Sequence, residues 1–87
     1  MRIPSVAIRR FWQAYRQLPR DVRKQASAAY HVWQQDAFHP SLHFKKVASD
    51  LWSIRVGRSH RALGRFDADT LVWIWIGDHD DYDLLIR

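Results

Sequence analysis

Leu71-Val-Trp-Ile-Trp-Ile76 is the stretch that decides the fold. Apolar at every position, it predicts a strand inside a sheet with both faces largely covered. The chain around it supplies the partners. Asp67-Ala-Asp-Thr70 reads as a turn, and Arg61 to Phe66 as the strand leading into it. Further upstream Trp52, Ile54 and Val56 alternate with Ser53 and Arg55, the pattern of a half-buried strand, and Gly57-Arg-Ser-His60 turns it back. Leu42 and Phe44, alternating with His43 and Lys45, predict one more short strand, and Ser5 to Ala7 could add another on weaker patterning.

Before the sheet come two helices. Ile8, Phe11, Trp12, Tyr15 and Leu18 recur at three-and-four spacing, and Pro19 ends that pattern. Asp21 suits the positive end of a second helix, whose inner stripe is Val22, Ala26, Ala29, Tyr30 and Trp33. This helix must stop before Pro40, which disfavours helical backbone at His39. The expectation is an α+β fold of one domain over residues 1–87: two N-terminal helices on a curved antiparallel sheet of three to four strands. Trp12, Trp33 and Trp52 are assigned to the core, with Trp73 and Trp75 sharing one face of the central strand.

Composition narrows the function. The 87 residues suffice for one core, and 47% hydrophobic residues argue against disorder. No cysteine is present, which excludes disulfides and thiol chemistry and fits a reducing compartment, the cytoplasm. No run is long enough to span a bilayer. Thirteen Lys and Arg against three acids precede Asp67, whereas six Asp and Arg87 alone make up the charges after Phe66. That basic majority favours a polyanionic partner.

Two places carry candidate chemistry. If the loop after Val56 has an odd number of residues, Arg55 and Arg61 face each other across the hairpin, and with Lys45 and Lys46 nearby they form a basic surface suited to phosphates. An even loop breaks that pairing, and an ordinary solvated sheet face explains the same cations. The second place is the polar tail Gly77-Asp-His-Asp-Asp-Tyr-Asp83. Carboxylates flanking His79 favour its imidazolium form, suited to protonating a leaving group, and Tyr82 could orient a substrate or stack on a base. On the residues alone a capped strand end is the better account of it, with Asp78 and Asp80 taking free backbone donors and Tyr82 packing down. Pro40 separates His39 from His43 and prevents a helical ligand pair, and the Asp cluster lacks the spacing of a calcium loop, so no metal or other cofactor is expected.

Five stretches in order, Phe11 to Pro19, His39 to Val47, Trp52 to Gly57, His60 to Leu63 and Trp75 to Asp83, resemble the RelE/ParE superfamily of toxins from bacterial type II toxin-antitoxin modules, nearest its RelE-like branch. The resemblance implies a toxin neutralised by a cognate antitoxin protein. For the RelE-like branch it implies metal-free cleavage of mRNA on the ribosome: the ribose 2'-hydroxyl attacks the adjacent phosphate while a side chain protonates the departing 5'-oxygen. It places Arg55 and Arg61 at the phosphate, His79 as general acid and Tyr82 beside the substrate, with Lys45, Lys46, Arg58 and Arg65 binding nucleic acid. The alternatives are a ParE-like toxin that inhibits DNA gyrase and an inactive relative that binds its antitoxin. Ser53 stands where some relatives carry lysine. The tail acids must either point away from RNA or pair with the hairpin arginines.

Overall fold

The computed structural model describes residues 2–87. Among them the chain forms, in order, β1 (Ser5–Ala7), α1 (Arg9–Arg16), α2 (Arg20–Gln35), a 3-10 turn (Pro40–Leu42), β2 (Lys45–Ala48), β3 (Leu51–Val56), β4 (His60–Asp67), β5 (Thr70–Asp78) and α3 (His79–Ile86). The strands make one sheet in the order β1-β5-β4-β3-β2. β5, the all-apolar run, is an interior strand as its composition requires. The sheet has five strands rather than three to four, because β1 joins it parallel to β5, Val6 opposite Val72. Its three residues show too little alternation to announce themselves. No helix among the described residues is long and apolar enough to cross a membrane.

The strand expected at Leu42 and Phe44 begins later. Pro40 opens a 3-10 turn instead, His39 accepts the Ser41 N–H through its ring, and His43 takes a left-handed conformation at φ 46°. Leu42 and Phe44 are still buried, so the apolar pattern was right about burial and wrong about conformation.

Both N-terminal helices pack on one face of the sheet. Trp33 of α2 is the centre of that core, 1% exposed, with its ring edge-on to Phe44 at 5.9 Å and to Trp73 at 5.3 Å. Trp12, assigned to the core from its helical spacing, is 44% exposed. The helices do not close over the sheet at that end: a cavity of about 300 Å³ separates Trp12, Tyr15 and Tyr30 from Ile54, Val56 and Ile76 on the sheet.

A bulge in β5 corrects a second expectation. Trp75 pairs with Leu63 and Trp73 with the next residue, Gly64, leaving Ile74 unmatched. Trp73 therefore faces the helices with Leu71 and Ile76, whereas Trp75 faces the opposite side with Leu63. The extra residue gives each sheet face its own tryptophan. On the second face the Trp75 indole lies across Gly77, where a Cβ would collide with the ring. Gly77→Ala is accordingly expected to destabilise the fold by about 1–3 kcal/mol, measured as a lower urea midpoint, with Trp75 fluorescence displaced. An unchanged midpoint would show that the ring moves freely.

Candidate functional site

The second face of the sheet carries the candidate residues. Val56 pairs with His60, so the β3–β4 loop is the three residues Gly57, Arg58 and Ser59, an odd number, and Arg55 stands directly opposite Arg61. Gly57 makes the loop possible by adopting φ +60°. Like charges directly opposite across a ladder repel, and these two side chains leave in opposite directions. Arg55 Nε donates to the Gly57 carbonyl at 3.0 Å, toward the turn. Arg61 Nη1 donates to Ser53 Oγ at 3.1 Å, away from it. Ser53 is 0% exposed.

The polar tail is a helix rather than a strand end. β5 runs on through Gly77 and Asp78, and Asp78 then caps α3 by accepting the Asp81 N–H at 2.9 Å. The signal was present in the sequence as an N-cap acid, further acids in the first turn, and the apolar residues Tyr82, Leu84, Leu85 and Ile86. The His79 backbone N–H donates to the Ser59 carbonyl at 2.8 Å, which pins the start of α3 to the hairpin loop. One turn on, Asp83 Oδ2 lies 3.2 Å from His79 Nδ1. A carboxylate there requires the proton on Nδ1, so Nε2 is the nitrogen left to meet a ligand; the side chain is 55% exposed.

Tyr82 points the other way. At 4% exposed it cannot stack on a base, contrary to one role read from the sequence. Its hydroxyl lies 3.5 Å from Ser53 Oγ, its ring is 5.7 Å from that of His79, and Arg61 Cζ lies 5.3 Å from the ring centroid. His79, Tyr82, Arg61 and Ser53 thus touch in sequence, from the exposed rim down to the buried strand. The tail acids do not pair with the hairpin arginines: Asp78 is spent on the cap, Asp83 on His79, and Asp80 and Asp81 are exposed.

The outlying cations divide. Lys45 pairs with Ser53 and so shares the face of Arg61, whereas Lys46 pairs with Trp52 and points to the other face. The expectation of a joint Lys45–Lys46 surface is therefore corrected. Arg65 shares the face of Arg61 four residues along β4, about 13 Å away, and meets Asp50 at 3.8 Å. Arg58 is exposed at the loop tip. The 300 Å³ cavity lies across the sheet from all of these except Lys46, and belongs to the helix-packing face.

The residues from α2 to α3 that build this face coincide with a known domain. The model of the ParE-like toxin domain matches residues 20–83. The chain belongs to that family, within the RelE/ParE superfamily of toxins. No curated protein matches it in sequence. Solved structures of the superfamily share its fold. A chain of the RelB-RelE antitoxin-toxin complex from Methanococcus jannaschii superposes with a TM-score of 0.73 at 16% identity, covering 94% of this chain and 99% of that one. A mutant of the E. coli toxin RelE in the free state gives 0.70 at 15%, covering 98% and 92%. The YoeB/ParE toxin from Agrobacterium tumefaciens gives 0.65 at 17%, covering 87% and 98%. At these identities the likeness is one of fold, and RelE and ParE names both occur among the neighbours.

Proposed function

We propose that this toxin is a metal-independent, ribosome-dependent endoribonuclease that cleaves mRNA and stops translation in the cytoplasm. The observation that carries the reading is the placement, at one end of one sheet face, of Arg55 opposite Arg61 and of a half-exposed His79 whose Nδ1 is held by Asp83. A phosphate lying over strands β3 and β4 would be met by Arg61 from its place beside Ser53 and by Arg55 from the turn side, and its charge would offset their mutual repulsion. The 2'-hydroxyl of the preceding ribose attacks phosphorus, its proton passing to water, and the P–O5' bond breaks, leaving a cyclic 2',3'-phosphate and a free 5'-hydroxyl. The arginines stabilise the charge that accumulates on the non-bridging oxygens. His79 gives the proton to O5', oriented for it by Asp83. Tyr82 supports Arg61 from beneath instead of holding the base. Lys45, Arg58 and Arg65 hold RNA phosphates along the same face. A cognate antitoxin rich in acids suits the basic majority of the chain, and toxin-antitoxin complexes from Methanococcus jannaschii and Mycobacterium tuberculosis are among the structures with this fold.

His79→Ala is expected to lower cleavage about 100- to 10,000-fold, the usual contribution of a positioned acid. Induction of the toxin alone, followed by mapping of mRNA 5' ends, measures it. If His79→Ala cleaves as the wild type does, His79 is not the acid. The exposed Asp80 and Asp81, unfavourable beside RNA, support a second reading as a gyrase inhibitor of the ParE kind. It predicts intact mRNA and a DNA-damage response in the same experiment.

A further inference from the structure

We infer that Ser53 is a positioning residue for Arg61: its buried hydroxyl fixes the direction in which the guanidinium leaves β4 and so sets where it meets the scissile phosphate. The inference rests on the nuclease reading and adds to it a residue that touches no substrate.

Four observations support it. Ser53 is a wholly buried polar side chain in a strand whose neighbours Ile54 and Val56 are core. A hydroxyl there costs free energy unless it is hydrogen-bonded, and the groups that reach it are Arg61 Nη1 at 3.1 Å and Tyr82 OH at 3.5 Å. Register places Ser53 opposite Leu63, so it is the diagonal neighbour of Arg61 on the same face, within reach of a long side chain. Arg55, directly opposite Arg61, repels it toward Ser53 while being held the other way by the Gly57 carbonyl. With the Tyr82 ring beside it, Arg61 is bounded by a repelling charge, an aromatic face and one acceptor. Removing the acceptor leaves the guanidinium attached to the ring but free to turn about it.

The test is steady-state mRNA cleavage on ribosomes by wild type, Ser53→Ala, Ser53→Thr, Arg61→Ala and the Ser53→Ala/Arg61→Ala double variant, with urea unfolding of each and NMR of the Arg61 side-chain N–H. Ser53→Ala is expected to lower kcat about 10- to 100-fold with KM within about twofold, the size of effect that misplacing a group produces. Its Arg61 signal should lose protection from exchange. Ser53→Thr, which keeps the hydroxyl, should restore kcat if the added methyl is accommodated, which its urea midpoint reports. In the Arg61→Ala background Ser53→Ala should cost nothing further, because two residues that act as one unit are not additive. Undiminished cleavage by Ser53→Ala overturns the inference, as does an additional loss in the double variant or an Arg61 signal that does not change. A wild type that leaves mRNA intact overturns the nuclease reading itself, an outcome separable from these because the NMR measurement still reports whether Ser53 holds Arg61.

Discussion

Trp33→Ala is expected to lose about 3–5 kcal/mol of stability, a large fraction of the roughly 4–13 kcal/mol that an 87-residue domain has at about 0.05–0.15 kcal/mol per residue. The indole is almost fully buried and joins α2 to both Phe44 and Trp73, so its removal opens a cavity between elements far apart in sequence. Trp33 also has a cost. Its Nε1–H, like that of Trp73, is buried without a hydrogen-bond partner among the described residues. An unmet donor costs about 1–3 kcal/mol, so Trp33→Phe, which keeps an aromatic ring and deletes the donor, should lose far less than Trp33→Ala. Urea unfolding decides both. A lower midpoint at constant slope is the expected result; equal losses for Phe and Ala would mean that a phenyl ring recovers none of the packing the indole supplies.

Trp33 also shows what could be read in the sequence. Its place on the inner stripe of α2 followed from spacing alone, as did β3, β4 and the covered strand β5, because a period of 3.6 or 2 reports which side of an element meets the core. Trp12 obeys the same period and is exposed, since spacing says which face turns inward but not whether the neighbouring helix closes over it. Trp73 and Trp75 were separated by the single unmatched residue Ile74, and a bulge has no periodic signature. β1 was almost silent because parallel pairing of three residues depends on a distant strand. At the site, the Arg55–Arg61 opposition was legible up to the parity of one loop, which the structure gives as three residues. The roles of Tyr82 and Asp83 were not, because each depends on α3 being a helix: helical spacing turns Tyr82 inward and brings Asp83 back to His79. Ser53 was read only as an alternating polar position. Its burial comes from α3 folding over the second face, a contact between residues about thirty apart.

Arg61→Ala is expected to reduce mRNA cleavage about 100- to 1,000-fold, the effect of removing one donor from charge developing in a transition state, while costing no more than about 1–2 kcal/mol of stability, since Ser53 keeps its contact with the Tyr82 hydroxyl. The two effects separate for a geometric reason. Arg61 contributes to folding one hydrogen bond to Ser53 and one contact with the Tyr82 ring, and its removal also relieves the repulsion from Arg55 across the ladder, so the changes in stability oppose one another. No such offset operates on the phosphate, which loses a charged donor outright. Arg61→Lys should restore little. An ammonium keeps the charge, but it lacks the planar fork with which a guanidinium can bond Ser53 through one nitrogen and a phosphate oxygen through another. Cleavage by the lysine variant close to wild type would show that charge alone suffices at this position, and that neither the direction imposed by Ser53 nor the ring beneath it matters to the chemistry. A large loss in both variants, with unfolding midpoints near that of the wild type, is what an arginine held from below and presented to a phosphate from above requires.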